Sequence, residues 1–140
     1  MSKEISQARH PAITAASILF YVTAVGWPVA TTPVIMYMVR ERAYLRPYGT
    51  FEGFAGPWKA LGMDTMIGAL LLFTVYNLLG FLPGYWLWKS RRKGGILGII
   101  FLAVSSVFWW GFALPIPPLV GLLHIGLLAA GWKSLNGEIA

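Results

Sequence analysis

Apolar residues without formal charge fill four long stretches of this chain. The longest covers residues 94–132 and is interrupted only by a proline-rich cluster at 115–118. Each half approaches the roughly 20 residues that cross a hydrocarbon core of about 30 Å. Residues 11–39 and 65–88 are also uncharged and long enough to span. The pattern therefore predicts four membrane-spanning helices.

The fold class expected from this pattern is an all-α polytopic integral membrane protein, a single transmembrane domain built as a four-transmembrane-helix bundle. Helices three and four form an antiparallel hairpin with a tight proline turn. Helix one runs through Pro28 and Pro33 and is longer than a hydrocarbon layer. It should therefore be kinked near Pro28, be strongly tilted or leave the bilayer before it ends, and Pro83 bends the end of helix two. The predicted helices cover residues 12–39, 61–88, 94–114 and 116–132.

Residues 40–60 form the one sizeable connection, which we interpret as an interfacial loop. Its cations and aromatic side chains suit the depth of lipid headgroups, and its glycines break regular structure. The glycines match neither a phosphate-binding loop nor a dinucleotide-binding motif, because no strand precedes them. A docking surface or a lid is the alternative. The aromatic residues of the loop are Tyr44, Tyr48, Phe51, Phe54 and Trp58.

The distribution of Lys and Arg predicts the orientation, because cytoplasmic loops carry an excess of these residues. Seven lie on the side of the termini: Lys3, Arg9, Lys89, Arg91, Arg92, Lys93 and Lys133. Four lie on the side of the loop: Arg40, Arg42, Arg46 and Lys59. The chain is therefore expected in a cell membrane with both termini cytoplasmic. We interpret the cluster 89–93 as a topology anchor, with specific contact to a lipid or a partner as the alternative.

Composition removes several functional classes. The chain is 57% hydrophobic and only 11% charged, so its soluble segments are short connectors without room for a separate catalytic domain. The net charge of +6 does not indicate nucleic acid as a partner, because basic residues in so apolar a chain lie at helix ends beside anionic headgroups. Cysteine is absent, which excludes thiol catalysis, disulfides and iron–sulfur ligation by this chain.

The few polar residues in or beside the predicted spans are functional hypotheses, because polar groups in hydrocarbon are costly. Asp64 lies where a helix begins and is interpreted as an N-cap, with proton or cation handling as the alternative. His124 is the one histidine within a span and can bond a facing helix, a quinone carbonyl or haem iron. A lone histidine cannot supply two haem ligands, so a haem would be shared with a partner subunit or a symmetric copy.

Counting the helical rise from the predicted interfaces places five polar residues at similar depths on four helices. These are Tyr21, Asn77, Ser105, Ser106 and His124. Hydrogen bonds among them would hold the helices in register without any catalytic task. The alternative is a pocket for a quinone headgroup or similar ligand, with Tyr21, Tyr76, Asn77 and His124 as its cofactor-binding residues.

No catalytic constellation is visible in the chain, which has no carboxylate pair within a span, no Ser-His-Asp arrangement with a base and no multi-ligand metal site. We therefore expect a non-catalytic small integral-membrane subunit of a larger complex, such as a respiratory or other oxidoreductase complex in electron transport. Its partners would be the lipid bilayer and other membrane subunits. No cofactor is required, although a quinone or a shared haem stays open. The alternatives are a homo-oligomeric channel or small-molecule carrier, and a quinone- or haem-binding anchor that uses His124.

Overall fold

The fold is helical throughout the part of the chain that a computed structural model describes, residues 9–49 and 52–136. Lys3 of the basic set and Phe51 of the loop lie outside these residues. Helical residues make up 82% of the residues described, which contain no β-strand. Four helical stretches are long and apolar enough to cross a membrane, which confirms that part of the prediction. The helices are α1 (Pro11–Glu41), α2 (Met63–Leu78), α3 (Phe81–Trp88), α4 (Arg92–Phe112) and α5 (Ile116–Gly131), with short 3-10 turns at Pro47–Gly49, Pro57–Leu61 and Trp132–Ser134.

α1 begins directly after His10. The imidazole Nδ1 of His10 accepts a hydrogen bond from the N–H of Ala12 at 3.2 Å, and Pro11 occupies the first helical position. The helix ends at Arg42, whose left-handed backbone (φ 52°) stops the helical repeat. Its 31 residues span about 46 Å at 1.5 Å per residue, more than a hydrocarbon layer of about 30 Å.

Two prolines lie inside α1 without ending it. Pro28 and Pro33 lack the N–H that would bond the carbonyl four residues earlier. Threonine hydroxyls bond carbonyls in the same region: Thr31 Oγ1 donates to Trp27 O at 2.9 Å, and Thr32 Oγ1 donates to Pro28 O at 2.7 Å. Such side-chain bonds help a membrane helix to continue through proline.

The second predicted span, 61–88, is two helices rather than one. α2 ends at Leu78, and α3 begins at Phe81 after a two-residue turn. The break lies upstream of Pro83, because proline has no N–H for the Leu79 carbonyl and its ring displaces that group. The Leu79 carbonyl accepts instead from the N–H of Leu82 at 3.0 Å. Pro83 therefore interrupts the span one turn before its own position.

α4 and α5 are joined by residues 113–115. Ala113 adopts a left-handed conformation with φ 52° and caps α4. Of the predicted turn prolines, only Pro115 lies in this connection. Pro117 and Pro118 belong to the first turn of α5, where the missing N–H of proline is not needed. These two prolines therefore start a helix rather than form the turn.

α1 is the centre of the bundle and contacts α2, α3 and α5. The returning span α2–α3 runs antiparallel to it. Ser17 Oγ near the start of α1 donates to Gly84 O of α3 at 2.6 Å, whereas Thr31 further along lies 2.7 Å from Thr74 of α2. Helices that pack as closely as α1 and α2–α3 also need small residues where they face each other.

Buried apolar side chains form two clusters, one at each end of the bundle. The loop-end cluster joins the second half of α1 to α2 and the end of α4. Its members are Val34, Ile35, Met38, Met66, Ile67, Leu70, Phe73, Phe108 and Phe112. The terminal-end cluster consists of Ile13, Ala16, Phe20, Leu87, Phe101, Leu102, Leu128 and Leu135. Tyr76 and Trp109 pack against both clusters and connect them.

Candidate functional site

The loop between α1 and α2 is docked on the end of α4. The Trp58 ring packs edge-on against Phe108 and Phe112, at centroid distances of 5.7 and 5.3 Å. The same ring covers Gly111 so closely that a side chain there would overlap it. Gly56 lies against the backbone of residues 111–113, where no Cβ fits. The loop therefore covers one end of the bundle and is held there by these contacts.

Glu52 forms ion pairs with two basic side chains of this loop. Its carboxylate accepts hydrogen bonds from Lys59 and from Arg46 Nη2, the latter at 2.6 Å. These bonds, with Lys59 the larger contributor, hold the pKa of Glu52 below its usual value. The sequence alone did not single out Glu52, because only folding shows that one carboxylate takes both cations.

Asp64 is not the N-cap of α2, so that prediction was wrong. Gly62, with φ 93°, takes the N-cap position and places Asp64 within the first turn. Its carboxylate lies 2.7 Å from Arg42 Nη1 and is 84% exposed. The helix end and Arg42 both favour its charged form. A surface ion pair thus accounts for the position of Asp64.

Basic side chains at the other end of the bundle lie over aromatic rings. We call the six described cations there the terminal basic surface: Arg9, Lys89, Arg91, Arg92, Lys93 and Lys133. Four of them contact rings, with distances to the ring centroid of 4.0 Å for Arg9 over Trp88, 4.4 Å for Lys93 over Trp86, 5.8 Å for Lys89 over Tyr85 and 5.8 Å for Arg92 over Trp132. These contacts hold the charges beside a belt of Trp and Tyr rings.

The predicted polar layer is held by backbone carbonyls rather than by bonds within the layer. Asn77, Ser105, Ser106 and His124 each bond a carbonyl three or four residues earlier in the same helix, at 2.6–2.9 Å. Tyr21 is half-buried, and its ring packs against Phe81. The structure therefore does not bring these residues together through hydrogen bonds.

Tyr76 makes the clearest polar contact between helices in this region. Its hydroxyl donates to Phe101 O of α4 at 2.9 Å, and its ring stacks on the Phe101 ring at 4.7 Å. The same carbonyl accepts from Ser105 Oγ at 2.8 Å. Tyr76 thus links α2 to α4 at the junction of the two apolar clusters.

His124 is buried to 2% exposure, and its ring packs at a tilt of 53° against Phe20 with ring centroids 4.3 Å apart. Its Nδ1–H donates to Val120 O at 2.9 Å, so Nε2 carries the free lone pair. Nε2 is itself buried and has no hydrogen-bond partner among the described residues. A quinone or haem could reach Nε2 only if the side chains that bury it moved.

Two apolar cavities lie among the described residues. The α4–α5 groove, about 800 Å³, has walls from both helices and Pro57 at its loop end. The loop crevice, about 420 Å³, lies between α1, the loop and the α4–α5 connection, with Thr31 and Glu52 as its polar residues. Neither cavity is lined by Tyr21, Tyr76, Asn77 or His124. Neither cavity is predictable from the sequence, since both depend on how the helices separate.

No protein-family model, curated protein or solved structure matches this chain in the comparisons with known proteins. Among the described residues, no group of three His, Asp or Glu side chains could hold a metal ion. The helices, the two charged ends and the cavities are therefore the features of the molecule that bear on its function.

Proposed function

We propose that this chain is a non-catalytic small integral-membrane subunit of a larger membrane complex. The α4–α5 groove is the observation that carries the proposal. Within a bilayer an apolar notch must be filled by acyl chains or by side chains of another helix, because nothing else there matches its chemistry. We assign the groove to a transmembrane helix of a partner subunit.

The shape of the groove supports a helix as its occupant. Its α4 wall includes the small residues Ala103 and Ser106, which allow another backbone to approach closely. Trp110, 64% exposed, and Leu122, 66% exposed, stand at its edges. Large apolar side chains around small ones form a shape into which the ridge of a neighbouring helix fits.

Membrane insertion with both termini cytoplasmic completes the proposal. On the loop side, four cations and three carboxylates, Glu41, Glu52 and Asp64, give a net charge of +1. Within the described residues, the terminal side holds six cations and no carboxylate. The positive end is expected on the cytoplasmic side. In this arrangement α4 and α5 form the predicted transmembrane hairpin.

The kind of complex stays a prediction from the sequence. A respiratory or other oxidoreductase assembly is kept as the candidate, with a quinone or shared haem as its cofactor. The homo-oligomeric channel or carrier is the competing function, and the same groove would then receive a helix of a second copy.

Site-specific crosslinking tests the groove. The chain has no cysteine, so Ser106→Cys and Leu122→Cys each introduce a unique thiol for a photoreactive maleimide in native membranes. We expect both to crosslink to one transmembrane peptide of a different protein, identified by mass spectrometry. Val75 of α2 is 61% exposed and lies outside the groove, so Val75→Cys is the control and should give no such adduct.

The other outcomes of this experiment decide against the proposal. An adduct between two copies of this chain supports the homo-oligomer instead. Crosslinks to lipid alone, or equal capture of many proteins by all three variants, contradict a partner helix in the groove.

A further inference from the structure

The terminal basic surface carries charge that the described protein does not neutralise. At the loop end, Arg40, Arg42, Arg46 and Lys59 all lie within ion-pair distance of carboxylates. At the terminal end, the described residues include no Asp or Glu, and the cations contact aromatic rings instead. A ring face attracts a cation but leaves its hydrogen-bond donors available to an anion.

The aromatic partners place these cations at a particular depth. Trp86, Trp88 and Trp132 lie at the ends of α3 and α5, and Trp and Tyr are enriched where membrane meets water. Arg9 and Lys93, at 4.0 and 4.4 Å from their ring centroids, are therefore held laterally beside the aromatic belt. Lipid phosphates lie at this level of a bilayer.

The backbone of residues 90–92, within the basic cluster 89–93, is held by hydrogen bonds to α3 and to the chain beyond α5. Ser90 takes a left-handed conformation (φ 55°), and the N–H of Arg91 donates to Trp86 O at 2.9 Å. Asn136, beyond α5, donates to Ser90 O at 2.9 Å and accepts from the N–H of Arg92 at 3.1 Å. Because these hydrogen bonds already fix the backbone at this corner between α3 and α4, the backbone loses little conformational entropy when an anion binds.

We propose that the terminal basic surface binds the phosphate groups of anionic phospholipids in the leaflet that it faces. Net negative lipids are favoured over zwitterionic ones, because a zwitterionic headgroup neutralises its phosphate with its own cation. Lys89, Arg91 and Lys93 at the α3–α4 corner are the principal donors. The inference depends on the proposed membrane insertion.

Native mass spectrometry of the detergent-solubilised chain tests this binding. Incubation with equal amounts of phosphatidylglycerol and phosphatidylcholine should leave phosphatidylglycerol bound with a preference of about tenfold or more. The triple variant Lys89→Gln/Arg91→Gln/Lys93→Gln should reduce the preference to about one. The variant Arg40→Gln/Arg46→Gln/Lys59→Gln removes three charges from the loop side and should keep the preference.

A charge-conserving variant keeps the test decisive if the triple variant folds poorly. Lys89→Arg/Lys93→Arg should retain helicity by circular dichroism and the lipid preference. The inference is overturned if wild type shows no preference, if the terminal triple variant keeps it, or if the loop-side variant loses it equally. Displacement of the lipid by 10 mM inorganic phosphate would also overturn it, since the surface would then recognise phosphate alone.

Failure of the lipid inference is distinguishable from failure of membrane insertion. A chain that stays in the membrane fraction at alkaline pH but shows no lipid preference removes only the lipid inference. A chain that is released without detergent removes the proposed function as well.

Discussion

Individual glycines and aromatic residues determine how closely the elements of this protein approach one another. Trp58 fits over Gly111, and the Phe20 ring lies against Gly98, where a Cβ would come within 2.9 Å of Phe20 Cζ. At Gly56 the neighbours are backbone atoms, which cannot rotate away. The cost of adding one methyl group therefore depends on whether a flexible side chain or a fixed backbone faces it.

Substitution Gly56→Ala should undock the loop. The new Cβ would overlap the backbone of residues 111–113, so the free energy of unfolding should fall by about 1–3 kcal/mol. Denaturant unfolding in a mild detergent measures the loss, and faster tryptic cleavage after Lys59 reports the undocked loop.

The matched control is Gly68→Ala. A Cβ at Gly68 in α2 meets nothing within 4 Å, and alanine favours a helix over glycine by about 1 kcal/mol. This variant should be at least as stable as wild type. Equal stability of the Gly56 and Gly68 variants would show that the loop does not pack as described.

The elements were predictable to different degrees, for physical reasons. Four long apolar helices follow from uninterrupted apolar runs, because backbone groups in lipid must bond within a helix. The break between α2 and α3 did not follow, because the effect of Pro83 falls on the carbonyl four residues earlier. The helical rise predicts polar residues at similar depths on neighbouring helices. It does not predict that the side chains of Asn77 and His124 form hydrogen bonds to carbonyls of their own helices. The two cavities depend on helix separation, which no residue pattern encodes.

The loop should lose stability in acid through Glu52. Because the pKa of Glu52 is lower in the folded protein than its usual 4.5, its contribution is present above about pH 4.5 and is lost as the pH falls through the folded value. The unfolding midpoints of wild type and Glu52→Gln should differ at pH 7 and converge once the pH has fallen below the folded pKa of Glu52. A difference that is constant with pH would show that the carboxylate does not hold the loop.

At the scale of the whole molecule, charge is distributed more unequally than residue counts show. The sequence places seven Lys and Arg residues on the side of the termini and four on the side of the loop, which predicts the orientation. Folding pairs the loop-side cations with Glu41, Glu52 and Asp64, leaving the terminal end as the uncompensated positive end of the described chain. Arg42 and Asp64 are 22 positions apart, so this pairing could not be read from neighbouring residues. The same polarity supports the orientation and the lipid surface.

Cysteine accessibility in intact cells is the most direct test of the central claim, four crossings with both termini cytoplasmic. In this cysteine-free chain, Ala60→Cys marks the loop side, and Ser90→Cys and Ser134→Cys mark the terminal side. A membrane-impermeant maleimide should label the Ala60 variant in intact cells and the other two only after permeabilisation. Labelling of all three variants in intact cells, or the reverse pattern, would contradict the account.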